Sequence, residues 1–208
     1  MRSAIVFDLD GTLIDSARDI TVAFQQACVN AGHAAPEEEH VRALIGRPLR
    51  EMFHTFLPDA DMDALIAAYR AYYDENCTVY TRFYPGVLET LTILKGRGYS
   101  LAVATTKYPR VARLVSEKLG LTPYLDHIQG TEGFAHKPEP DVIFAALETL
   151  QAPGLWMVGD TTADVLAGKA AGLKTYAVTW GTHSKDILET VHPDVIADSL
   201  DALLDLCP

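Results

Sequence analysis

The amino-acid sequence predicts the α/β fold class: a Rossmann-like three-layer core with a parallel sheet, plus a small all-helical cap inserted after the first strand. Three observations lead there. Short apolar runs alternate with longer stretches of helical period, the pattern of a parallel sheet covered by helices. The runs are continuously apolar rather than alternating, which requires burial on both faces. One interval, residues 16–80, breaks the rhythm and carries helical patterns only.

The first strand is expected over Ala4 to Leu9. Three helical patterns follow it: Ser16 to Ala31, ended by Gly32; Pro36 to Ile45, ended by Gly46; and Asp61 to Cys77, after Pro58. They define the expected cap, residues 16–80, leaving 1–15 and 81–208 as the catalytic core. Later strands are expected at Tyr99 to Ala104, Leu155 to Val158 and Thr175 to Val178, with a weaker one at Asp126 to Gln129. Between them Pro109 opens a helix that Gly120 closes, Pro140 opens another that ends near Pro153, and Gly172 ends the helix after Asp160.

Composition narrows the function classes. A formal net charge of -11 argues against a general affinity for nucleic acid, which leans on a surplus of Lys and Arg to neutralise phosphates. No stretch approaches the roughly 18 consecutive apolar residues of a membrane span, and Met1-Arg2-Ser3 is too short a lead for a signal peptide. No membrane partner and a cytoplasmic address are therefore expected, for a monomer or small homo-oligomer. Cys28, Cys77 and Cys207 show neither metal-ligand nor disulfide spacing, and reduced thiols are expected.

In an open parallel sheet, ligands bind beyond the carboxyl ends of the strands. Those ends are polar here. The first strand ends in Asp8 and Asp10, the next in Thr105, Thr106 and Lys107, and the one beginning at Leu155 in Gly159-Asp160. Lys137 lies in the loop after Gln129, and Asp164 is one helical turn beyond Asp160. Taken singly, each has an ordinary reading: a strand-end cap, a turn, a β-branched strand residue, a solvated charge. Together they place four carboxylates on one edge, where mutual repulsion raises pKa values unless a cation intervenes. Magnesium suits such hard oxygen ligands and leaves room for a substrate phosphate. Lys137, the Thr hydroxyls and backbone amides would then hold a small phosphorylated metabolite. Two aspartates on one segment imply divided labour, Asp8 as nucleophile and Asp10 as acid and base.

These segments resemble the haloacid dehalogenase superfamily. Asp8-Leu9-Asp10-Gly11-Thr12 matches its first motif, Thr105 the second, Lys137 before Pro138 the third, and Gly159-Asp160 with Asp164 the fourth. The resemblance implies metal ligation by the Asp8 carboxylate, the Asp10 backbone carbonyl and Asp160, with Asp164 as ligand or neighbour. The inserted helices resemble the cap of phosphoglycolate phosphatase-like and β-phosphoglucomutase-like members, and within that group Ser16-Ala17-Arg18-Asp19-Ile20, Tyr84-Pro85-Gly86-Val87 and Val178-Thr179-Trp180-Gly181 look most like the phosphoglycolate phosphatase-like ones. A pyrophosphatase, a nucleotide or sugar phosphatase, a β-phosphoglucomutase-like phosphomutase and a catalytically silent binding protein stay open as alternatives. Thr12 favours a phosphatase over a mutase, in which Val usually follows the motif Gly. In Gly46-Arg47-Pro48-Leu49-Arg50, Arg47 or Arg50 could reach the unreactive part of a substrate, or both could be surface charges. His54, His136 and His183 have no metal-ligand spacing and are assigned no role.

Overall fold

Alternating side-chain direction along each strand decides how the layers assemble. In the computed structural model, which describes residues 2–208, the chain begins with β1 (Ala4–Phe7) and the short β2 (Ile14–Asp15). It continues through α1 (Ala17–Asn30), α2 (Glu38–Arg42), α3 (Leu49–Phe56) and α4 (Met62–Asn76) to β3 (Arg82–Phe83). Then follow α5 (Val87–Gly96), β4 (Ser100–Ala104), α6 (Pro109–Leu119), β5 (His127–Gln129) and α7 (Asp141–Leu150). The chain closes with β6 (Gly154–Gly159), α8 (Thr162–Ala170), β7 (Lys174–Val178), α9 (Lys185–Glu189), β8 (Val195–Ala197) and α10 (Leu203–Leu206).

Six strands form a wholly parallel sheet in the order β5-β4-β1-β6-β7-β8. Ile5, Phe7, Leu101 and Val103 point to one face, against Leu91 and Leu94 of α5 and Val111 and Val115 of α6. Val6, Ala102, Ala104 and Met157 point to the other, against Val142, Ile143 and Ala146 of α7 and Ala167 of α8. The core is thus three-layered, and each fully buried Leu, Ile, Val or Phe contributes about 1.5–3 kcal/mol of transfer free energy.

The four helices between β2 and β3 pack around their own aromatic centre. Phe24 of α1 stacks on Phe53 of α3 with ring centroids 4.1 Å apart, Phe53 meets the edge of Tyr69 of α4, and Tyr69 stacks on Tyr73. The chain enters and leaves this block through an antiparallel pair, Ile14 opposite Phe83 and Asp15 opposite Arg82. Asp19 braces the neck. Its buried carboxylate accepts hydrogen bonds from the Tyr80 amide (3.0 Å), the Thr81 amide (2.8 Å) and the Thr81 hydroxyl (2.7 Å).

Two expectations need correction. The helix expected over Pro36 to Ile45 shrinks to α2, and a fourth helix, α3, occupies the Pro48 to Phe56 stretch. Pro48, whose φ of -56 suits the start of a helix, occupies the N-cap of α3. The sequence reading also omitted β2, β3 and β8, which are two or three residues long and carry no period of their own. All three cysteines are buried free thiols. Among the described residues no helix is long and apolar enough to cross a membrane.

Asp19→Ala would strand three donors at the neck, and hydrogen bonds to a charged group carry about 1.5–3 kcal/mol each. Urea unfolding of this variant is expected to show a loss of about 3 kcal/mol, with a smaller loss for Asp19→Asn; a change below about 1 kcal/mol would contradict the bracing role.

Candidate active site

Strand register alone brings the polar ends together. Phe7 pairs with Val103 on one side and Val158 on the other. Asp8, Ala104 and Gly159 therefore share one level, and Asp10, Thr105 and Asp160 lie just past it on the same edge. The Asp8 amide donates to the Val158 carbonyl (2.8 Å) and the Thr105 amide to the Gln129 carbonyl (3.0 Å), so the ladder continues to the edge of the site.

Lys137 is the hub. Its ammonium is buried and donates to Asp8 Oδ1 (2.6 Å), Asp164 Oδ1 (2.5 Å) and the Ala104 carbonyl (3.0 Å), which uses all three of its N–H groups. Burial would pull its pKa down, but Asp164 and Asp8 reverse that and hold it above the usual lysine value. Asp164 is fixed in turn: Oδ2 accepts from the Thr161 amide (2.9 Å) and hydroxyl (2.7 Å), and the Asp164 amide donates back to Thr161 Oγ1 (3.3 Å), completing the capping box that starts α8.

Asp160 faces this pair. Oδ1 accepts from the Thr12 hydroxyl (2.8 Å) and Oδ2 from the Thr182 amide (2.7 Å). Gly11 and Gly181 pass so close that a Cβ on either would collide with its carboxylate, and Gly11 also has φ +91, a conformation glycine adopts freely. Burial, reinforced by Asp164, pushes the Asp160 pKa up to about 6, against hydrogen bonds that lower it. Burial likewise raises Asp8 well above the carboxylate range, Lys137 opposing and Asp164 and Asp160 adding to the rise.

Carboxylate oxygens of Asp8, Asp160 and Asp164 all lie within 4.8 Å of one another. Three buried carboxylates share one buried ammonium there, which leaves excess negative charge, and two of them have raised pKa values. That donor set fits a hard divalent cation such as magnesium. Both Asp164 oxygens are already engaged by Lys137 and Thr161, whereas Asp8 is held through Oδ1.

Asp10 stands apart, its Oδ1 accepting from the Ser16 hydroxyl (2.5 Å) and its Oδ2 lying 3.1 Å from the Lys107 ammonium. It lines a cavity of about 60 Å³ together with Arg47, Thr106, Lys107, Met52 and Tyr69. The Thr106 hydroxyl donates to the Gly46 carbonyl at 3.0 Å, so it bridges to the helical block. The Thr105 hydroxyl accepts from the Lys107 amide (3.2 Å). Arg50 is elsewhere, in an exposed ion pair with Asp63. A wider cleft of about 430 Å³ beside the cavity includes Arg47, His136, Lys137 and His183.

Sequence reasoning missed Ser16, Thr12 and Thr182 as carboxylate partners, and placed Lys107 at a strand end without tying it to Asp10. Thr12 and Ser16 were visible as hydroxyls flanking the first motif. Nothing in the spacing tied Thr182, twenty-two positions from Asp160, to it.

Residues 5–178 match the haloacid dehalogenase-like hydrolase family. The chain is 38% identical over 208 residues to the Dickeya dadantii (strain 3937) protein named "Probable phosphatase IndB", covering 96% of this chain and 90% of that one. It is also 38% identical over 180 residues to a phosphoglycolate phosphatase of Aquifex aeolicus (strain VF5), covering 85% and 84%. A solved haloacid dehalogenase-like family hydrolase from Streptococcus pneumoniae superposes with a TM-score of 0.88 at 31% identity, covering 99% of this chain and 98% of that one. The match spans every strand that carries a site residue, and the chain belongs to the haloacid dehalogenase-like hydrolase family.

Proposed function

We propose that this chain is a magnesium-dependent phosphatase that hydrolyses a small phosphate monoester, phosphoglycolate-like, through an aspartyl phosphate on Asp8. The observation that carries the reading is the buried Asp8–Lys137–Asp164 cluster facing Asp160 at the carboxyl edge of the sheet. Membership of a hydrolase family and relatives named as phosphatases support the reaction class.

In this reading the Asp8 carboxylate attacks phosphorus, the ester P–O bond breaks, and Asp10 gives a proton to the departing alkoxide. Asp10 then takes a proton from the water that attacks the acyl phosphate, releasing phosphate and restoring Asp8. Lys137, giving up one of its three present contacts, and the Thr105 hydroxyl hold phosphoryl oxygens, with Thr106 and Arg47 toward the rest of the substrate. Magnesium, held by Asp8, Asp160 and the Asp10 carbonyl with Asp164 beside them, would neutralise charge on the carboxylates and the transferring group. Residues 1–15 and 81–208 serve as the catalytic core. Residues 16–80 act as a lid that excludes water and selects among small phosphate esters, the cleft of about 430 Å³ being lined by Arg47 from the helical block and Lys137 from the core. The enzyme would work in the cytoplasm as a monomer or small homo-oligomer.

A screen of phosphate esters and pyrophosphate, scored by kcat/KM with magnesium present, is expected to rank 2-phosphoglycolate first; a tenfold preference, about 1.4 kcal/mol, for a sugar phosphate, nucleotide or pyrophosphate would overturn the substrate assignment. Asp8→Asn removes the nucleophile at little cost in volume. Its turnover is expected to fall by at least about a thousandfold with an unchanged circular dichroism spectrum, and near-normal turnover would refute the covalent route.

Linkage gives a third expectation. A carboxyl group with a raised folded pKa contributes full stability below its ordinary value of 3.8, and that contribution is lost as pH rises through about 6 for Asp160. Magnesium should therefore raise the melting temperature of metal-free protein more at about pH 7.5 than at about pH 5, and less so in Asp160→Asn. Equal shifts at both pH values in scanning calorimetry would count against a metal at these carboxylates.

A further inference from the structure

The loop after β7 holds one imidazole in a single tautomer. The Thr162 amide, at the start of α8, donates to Nδ1 of His183 (3.0 Å), which requires a lone pair on Nδ1 and leaves the ring proton on Nε2. The backbone that carries the ring is anchored to the site: the Thr182 amide donates to Asp160 Oδ2 (2.7 Å) and the His183 amide to the Asp160 carbonyl (3.4 Å). His183 is half-buried, and among the described residues no group accepts from Nε2. The donor polarity of the α8 N-terminus is thus carried outward through a neutral ring.

That ring lines the cleft of about 430 Å³, and with Nδ1 turned to α8 it is the Nε2–H that remains for whatever the cleft holds. Arg47 lines the same cleft, and among the described residues it has no carboxylate within ion-pair distance. Lys137 reaches the lining too, but its three N–H groups serve the reacting end, on Asp8, Asp164 and the Ala104 carbonyl. The cleft therefore offers one unpaired positive charge and one directed neutral donor. A carboxylate brings a single negative charge, which one guanidinium balances, and two oxygens, one for each partner. A second phosphoryl group brings nearly two charges, and Glu51 in the same lining opposes the excess.

We infer that His183 is a specificity-determining residue whose Nε2–H donates to a carboxylate on the phosphate ester, with Arg47 as the counter-charge. The inference rests on the phosphatase reading and deepens it: the substrate class is a short phosphorylated carboxylic acid, read by a residue of the core and not by the helical block alone. An ester with an alkyl group at that place leaves both the guanidinium and the imidazole N–H without a partner, the kind of mismatch that separates close analogues most strongly.

The test compares the intact chain with His183→Asn and His183→Gln in the presence of magnesium. The Asn amide oxygen takes the place of Nδ1 and keeps the Thr162 bond, but its nitrogen stops short of the Nε2 position. The Gln amide nitrogen reaches about that position at the cost of the Thr162 bond. Steady-state kcat and KM are measured on 2-phosphoglycolate and on ethyl phosphate, which carries a methyl group where the first carries its carboxylate. The ratio of kcat/KM between the two esters is expected to exceed about tenfold in the intact chain, to fall about tenfold in His183→Asn through KM on 2-phosphoglycolate, and to fall less far in His183→Gln. Equal losses on the two esters would mean a structural role and overturn the inference, as would an unchanged ratio in His183→Asn. A ratio that falls further in His183→Gln than in His183→Asn would trace the effect to the Thr162 bond and overturn it too. An intact chain with equal kcat/KM on both esters would overturn the inference and leave the phosphatase reading standing; one that hydrolyses neither would overturn both.

Discussion

The arrangement of the whole site depends on one buried ammonium. Lys137 places its three N–H groups on Asp8, Asp164 and the Ala104 carbonyl, and no geometry in which it served fewer partners would leave that many charges out of water. One positive charge cannot balance three carboxylates, so the cluster carries a deficit. Burial raises the pKa values of Asp8 and Asp160, and the neighbouring carboxylates add to the rise. A hard divalent cation would suit such an excess of negative charge, through the electrostatics of the cluster as a whole.

The sheet makes this concentration of charge possible. Parallel register sets Asp8, Ala104 and Gly159 at one level, so the loops that follow β1, β4 and β6 begin from a common edge. Small residues then let the acids approach: Gly11 and Gly181 close around Asp160, and Thr161 opens α8 with its own capping box on Asp164. Apolar burial on both faces of β1 holds the edge rigid. The side chains most costly to bury are thereby fixed by the part of the chain least able to move.

Much of this was legible in the sequence. Continuous apolar runs such as Ala4 to Phe7 and Leu101 to Ala104 can only be strands covered on both faces, and Pro109 with Gly120 bounds a helix by backbone geometry. Asp8, Asp160 and Asp164 were readable as acids gathered at one edge of the sheet that call for a common counter-charge, whereas Asp10 is paired separately with Lys107. What escaped was local or long-range in a way spacing does not encode. α3 is two turns long and starts directly after Arg47-Pro48, where a loop was the simpler reading. β8 is a three-residue edge strand whose pairing with β7 is decided by the sheet. Thr182 and Lys107 reach their aspartates only through the folded loops that carry them.

The neck between β2 and β3 has a consequence of another kind. Asp15 and Arg82 are paired partners, so the chain enters and leaves the stretch between Ser16 and Thr81 through one antiparallel pair. A tight turn across that pair would close the chain without disturbing any strand of the main sheet. The contacts of the Lys137 cluster, with Asp8, Asp164 and the Ala104 carbonyl, are all made outside the intervening segment. Such an architecture lets the segment that borders the cleft vary separately from the cluster beneath it.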